Sequence, residues 1–251
     1  MKCTCRIPLK QPGRDGMIPH PNQGSLPMFR FRGIQVSLHW SWLLVAVYQI
    51  QQKAEGYSSP IWAVAEYLGL FFIVLLHEFG HSFATRQVGG KAENILLWPF
   101  GGIAFVNAPP RPGAHLWSIA AGPLVNVALV PVFWLMTKVA APESDSNDAL
   151  SFAYRIQYIN MGLLIFNILP IYPLDGGQIF QALLWFKVGY QKALLIASGV
   201  GLLGGAVLMA WVFDYTRSLL PVLLVGFLLG DCWKAFQAAR AMLSGQDPPP
   251  H

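Results

Sequence analysis

Three residues within one short stretch have the types and spacing to do chemistry: His77, Glu78 and His81, in "HEFGH". On a helix, positions i and i+4 share a face, so His77 and His81 can offer two ring nitrogens to one metal ion while Glu78 sits beside them. This is the HExxH spacing of helix-borne zinc sites, in which the glutamate acts as a base. It closes an apolar run that begins near Ile61. Titratable groups at membrane depth cost about 2.5–3.5 kcal/mol each to insert, and persist mainly where they face a cavity, a partner or a metal. Three polar residues at an interface are the plain alternative, but that role would not require this spacing.

A catalytic zinc takes three protein ligands and keeps a fourth position for water, so two histidines call for a third ligand from elsewhere. Glu66 lies about three turns up the same helix, Glu93 is in a loop, and Glu143, Asp145 and Asp148 fall across the membrane in the topology given below. Asp175 remains, in "YPLDGGQ". Pro170 and Pro173 break the preceding helix, and Gly176 and Gly177 allow a tight turn that aims the carboxylate into a bundle. Alone, "LDGG" would read as an ordinary turn with aspartate as its turn former.

The elements that must position these residues are written in the composition. Of 251 residues, 54% are hydrophobic and only 12% charged, with a mean hydropathy of +0.45; such a chain has lipid as its solvent. Apolar stretches near residues 34–51, 60–84, 115–139, 150–169, 193–212 and 219–233 predict six spans. The expected fold is an all-α polytopic membrane protein of six transmembrane helices. Between spans two and three, "ILLWPFGGIAFVNAPP" is too short to cross and predicts a membrane-edge β-strand or hairpin. Residues 34–233 form the predicted membrane domain. Residues 1–33, broken by five prolines and without a signal-peptide core, predict a disordered N-terminal tail, and residues 234–251 a C-terminal one.

The net charge is +5, but the basic residues collect at span ends rather than interleaving with aromatics, which argues against a nucleic-acid partner. Six basic residues among the first 33 face the single acid Asp15, whereas the joint after Ala140 is acidic. Positive-inside bias therefore predicts both termini in the cytoplasm. Cys3 and Cys5 lie in the predicted tail and Cys232 near the last span, a placement that offers no disulfide framework.

Three motifs on successive spans, "HEFGH", "AGPLVN" (Ala121 to Asn126) and "NILPIYPLDGG" (Asn167 to Gly177), resemble the site-2 proteases, a family of intramembrane zinc metalloproteases. The resemblance runs from about Ile34 to Asp231, and is to the compact six-span subgroup. The short stretch after Trp233 leads us to expect neither the nucleotide-binding pair nor the PDZ domain of other members.

The resemblance implies that His77, His81 and Asp175 hold one Zn2+ per chain and that Glu78 is the general base for water attacking a peptide carbonyl. It also implies a catalytic role for Asn126, binding substrate or oxyanion, although an amide in "AGPLVN" could equally pack two helices where Ala121 and Gly122 let them approach. Asn167 either contacts substrate or shapes the helix break. Gly101 and Gly102 would let an unwound substrate add as a strand, or belong to a hairpin that plugs the cavity. The implied partners are the lipid bilayer and a membrane-anchored, single-span substrate such as an anti-sigma factor, a transcription-factor precursor or a signal-peptide remnant. The implied location is a membrane crossed several times, the plasma or inner membrane if the source is a prokaryote. A zinc-binding membrane transporter or sensor is the alternative, and it assigns no role to Glu78. A catalytically silent relative would be missing a ligand or the base, and all four residues are present.

Overall fold

The computed structural model describes residues 24–54, 56–98, 101–141, 148–215 and 219–245. Strands β1 (Ser25–Phe31) and β2 (Ile34–His39) come first, followed by helices α1 (Ser41–Ala54) and α2 (Pro60–Gln87). Strands β3 (Lys91–Trp98) and β4 (Gly101–Asn107) precede α3 (Pro112–Ala140), α4 (Asp148–Ile168), α5 (Asp175–Val188), α6 (Tyr190–Tyr215) and α7 (Leu219–Ser244). The fold is mostly helical, with one four-stranded sheet in the order β1-β2-β3-β4. Two antiparallel hairpins meet through a parallel β2–β3 pairing, so α1 and α2 form the crossover between them.

Helices α2, α3 and α6 and the Pro221–Ser244 part of α7 are long and apolar enough to cross a membrane. Their outer faces carry bare apolar side chains, among them Leu68, Val139, Leu203 and Val207, each more than half exposed. Such a belt is tolerable where lipid, rather than water, is the solvent. Polar residues turn inward instead, and Asn126, Asn160 and Ser198 are fully buried.

Three sequence expectations need correction. The stretch taken as the start of the first span, Ile34–His39, is strand β2, and α1 has only 14 residues, about 21 Å of helix. Ile34, Val36 and Leu38 alternate with Gln35, Ser37 and His39, a period-2 pattern that buries one face of a sheet. The predicted N-terminal tail is shortened, because Ser25–Phe31 folds as β1 against β2; residues 1–23, with Cys3 and Cys5, lie outside the described residues. The predicted C-terminal tail is also shortened, since α7 continues to Ser244. The predicted hairpin is present as β3 and β4, but as half of a larger sheet.

The sheet packs on α2. Ile34, Val36, Ile95, Leu97 and Ala104 meet Val74, Leu75 and Phe79 of the helix, with Trp42 at the edge of the cluster. Arg86, near the end of α2, ties the two hairpins together, its guanidinium donating to the carbonyls of both Arg32 and Ala92. Helix α3 packs along α2 at His77, Gly80 and His81, residues outside the cluster that faces the sheet. The C-terminal half of α2 is thus covered on two sides, and this half carries the histidines.

Candidate metal centre

His77, Glu78 and His81 are all buried on α2. Helix α3 comes against the imidazoles at Gly122, where a Cβ atom would overlap the rings of both His81 and His77. The small residues of "AGPLVN" therefore do more than let two helices approach: Gly122 leaves open the space into which the two Nε2 atoms point.

Each imidazole is held from behind. His77 donates from Nδ1 to Asn126 Oδ1 at 2.6 Å, and His81 donates from Nδ1 to the Ser118 carbonyl at 2.9 Å. The amide of Asn126 is oriented in turn, since its Nδ2 donates to Asn160 Oδ1 at 2.8 Å and Asn160 Nδ2 donates to the Asn126 carbonyl at 3.0 Å. With both Nδ1 atoms engaged as donors, the tautomer that this network selects leaves both Nε2 lone pairs free.

Asp175 is the first residue of α5. The break before it contains a cis Tyr172–Pro173 bond. Gly176 and Gly177 lie within the helix, and neither has a positive φ. They serve as contact surfaces instead of the turn expected from the sequence, because a Cβ on either would strike backbone atoms between Ile168 and Tyr172. That contact seats α5 so that Asp175 Oδ2 lies 3.1 Å from His77 Nε2 and 3.4 Å from His81 Nε2. The two Nε2 atoms are 3.0 Å apart.

Three lone-pair-bearing atoms thus converge in a dry place. With no proton or cation between them they would repel, and Asp175 Oδ2 has no hydrogen-bond partner. Ligand atoms bonded to one tetrahedral zinc at 2.0–2.1 Å stand about 3.3 Å apart, which matches these separations. The donor set of two imidazoles and a carboxylate, each histidine backed by a carbonyl oxygen, fits a catalytic zinc.

A cavity of about 270 Å3 opens onto the three donors and is lined also by Glu78, Gly102 and Asn167. Strand β4 crosses close above Glu78, and a Cβ on Gly102 would collide with the Glu78 carboxylate. Gly101 begins β4, paired with Trp98. Of the two expected readings of Asn126, its surroundings are those of the packing amide. It is fully buried behind His77 with both side-chain ends engaged, so it supports a histidine and does not face the cavity. Asn160 was missed in the sequence, although an amide inside the apolar run of α4 was a signal that some partner in the bundle must satisfy it.

The model of peptidase family M50 matches residues 65–143 and 135–210. A zinc metalloprotease of Methanocaldococcus jannaschii is 35% identical over 177 residues, covering 70% of this chain and 50% of that relative. Stage IV sporulation protein FB of Bacillus subtilis is 32% identical over 130 residues, covering 50% of this chain and 42% of that relative. The chain thus spans about half the length, or less, of these curated relatives. Among solved structures, a site-2 protease from Methanocaldococcus jannaschii superimposes with a TM-score of 0.60 at 26% identity, covering 84% of this chain and 95% of that one. The family model covers more than half of the chain and includes every residue of the metal centre, and this chain belongs to peptidase family M50, the site-2 proteases.

Proposed function

We propose that this protein is an intramembrane zinc endopeptidase that cuts the membrane-spanning segments of anchored proteins. The observation that carries the reading is the convergence of His77, His81 and Asp175, with Glu78 beside them, on one cavity inside a bundle of apolar helices. Zinc, when bound by those three residues, supplies a Lewis acid and acidifies the attacking water. Glu78 takes the proton from that water and returns it to the leaving amine. Asn126 and Asn160 keep His77 in the tautomer and orientation that ligation needs.

A helical substrate hides its peptide bonds and must be unwound before it can be cut. The outward edge of β4 offers backbone groups for strand addition, and Gly101 and Gly102 let a second backbone come close to Glu78. Asn167, on the cavity wall, is available to bind it. Cleavage at a normal rate after Gly101→Val would count against this part.

Beyond the four helices long and apolar enough to cross a membrane, we propose α1 and α4 as two further, shorter crossings, which gives six spans with both termini in the cytoplasm. In that topology residues 34–233 form the catalytic unit, and the metal centre lies toward the cytoplasmic side. Single-span proteins such as anti-sigma factors, transcription-factor precursors or signal-peptide remnants are the substrates we expect, in the plasma or inner membrane if the source is a prokaryote.

The test is a comparison of membrane-protein fragments in cells carrying wild-type or Glu78→Gln protein, together with the zinc content of each purified form. Fragments should vanish in the variant while about one zinc per chain remains in both. Identical fragment patterns, or wild-type protein without zinc, would overturn the proposal.

A further inference from the structure

We propose that Asp231 selects substrates: its carboxylate recognises a lysine or arginine on one flank of the scissile bond. The inference rests on the endopeptidase reading above and adds a substrate class to it. Leu224, Phe227, Leu228, Asp231 and Ala235 of α7 all line the cavity that holds His77, Glu78, His81 and Asp175. Their spacing is that of a single helical stripe. A stripe that served only to close the cavity would be apolar throughout, yet this one places a carboxylate one turn beyond Phe227 and Leu228.

The electrostatics of the cavity make that carboxylate unusual. Among the described residues that line it, Glu78, Asp175 and Asp231 are acidic, and none is lysine or arginine. Among the described residues, Asp231 pairs with Lys234, whose Nζ lies 3.2 Å from Oδ1 and outside the cavity lining. An i,i+3 pair between partly exposed side chains is weak and readily exchanged for another cation. Asp231 is half-buried, and an acid that faces a cavity is a mark of function in a membrane bundle.

The position of α7 supplies the geometry. It packs along α6, and its lining stripe looks across the cavity toward the catalytic residues, with a Trp98–Phe227 ring contact of 6.0 Å bridging to the hairpin. A segment laid along β4 over Glu78 therefore runs between the hairpin and this stripe. Its apolar residues meet Leu224, Phe227 and Leu228, and the next turn meets Asp231. Membrane-spanning segments carry this order of chemistry: an apolar core, then lysine or arginine on the cytoplasmic flank. In the topology proposed above, Asp231 is on that side.

The test uses the full-length zinc-loaded protein and a model spanning segment that carries one lysine, or one glutamate, moved stepwise through the flank of the cut bond. At one position wild type should cut the lysine form about tenfold faster than the glutamate form, as a desolvated charge match predicts. Asp231→Asn should level the two rates, Asp231→Lys should reverse them, and Lys234→Met should sharpen the lysine preference; zinc content reports whether each variant has folded. The same ratio in wild type, Asp231→Asn and Lys234→Met, or no preference at any position, overturns the inference while leaving the endopeptidase reading intact. Wild type that cuts no segment at all overturns both.

Discussion

Helix α2 carries two buried polar clusters about three turns apart, and they are built on opposite principles. At Glu66, both carboxylate oxygens are answered: Lys53 lies 2.7 Å from Oε1, while the Tyr57 hydroxyl donates to Oε2 at 2.8 Å and Arg155 stands 3.4 Å from it. Arg155 also covers the Tyr57 ring, at 4.6 Å from its centroid. This cluster ties α1, α2 and α4 together and is electrostatically complete. At His77, the outward Nδ1 donors are spent on orientation, and the inward Nε2 and Oδ2 atoms converge within 3.0–3.4 Å of one another. A satisfied cluster holds a fold together; a cluster of convergent lone pairs is a site for something else. Hydropathy alone would have marked both acids as anomalies in lipid, and only their partners separate the structural one from the chemical one.

The contrast is broken most severely at the ligands. Asp175→Ala or His77→Ala should remove zinc from the purified protein and abolish cleavage, as metal analysis and a fragment assay would report together; zinc retained in either variant would make the triad a structural cluster after all. Glu78→Gln should keep the metal yet slow cleavage by about 10²–10⁴-fold, the range for loss of a general base, measured as initial rates on a model segment. Removing the support behind His77 with Asn126→Ala or Asn160→Ala should cost about 10–100-fold in zinc affinity, read by competition with a chelator. The two should cost similar amounts if Asn160 acts by orienting Asn126. The smallest effect on chemistry is expected from Glu66→Gln, which leaves Lys53 and Arg155 unbalanced. It should lower unfolding stability by about 1–2 kcal/mol, a figure kept small because both cations are about a third exposed or more, while zinc content stays at wild-type level. Zinc loss on that substitution would mean that the two clusters are coupled through α2.

Parts of this arrangement were legible in advance for reasons particular to each. The long apolar runs of α2, α3 and α6 announce themselves by length, and α4 falls where its sequence predicts. Strand β2 announces itself too, by the alternation of Ile34, Val36 and Leu38 with polar neighbours, but its overall apolarity next to α1 made the two look like one span. Strand β1 carries no such alternation and includes Pro27 at a register shift, a residue that sheets accept at edges and bulges. Its pairing depends on β2 being there. The resemblance to site-2 proteases, read from three motifs, is borne out by the family match.

What the sequence determined by itself is the local chemistry: that two imidazoles and a carboxylate share one stretch of α2, because the pitch of a helix converts spacing into direction without outside help. It also marked an aspartate behind a proline break as the available third ligand. What only the tertiary structure decided is which residues stand behind and above that chemistry: Asn160 steadying Asn126, Gly122 leaving room for the Nε2 atoms, Gly102 passing over Glu78, and Asp231 looking into the same cavity. These depend on how far each helix is rotated and shifted against its neighbours, and side-chain packing across the bundle sets those offsets jointly rather than any one segment setting its own.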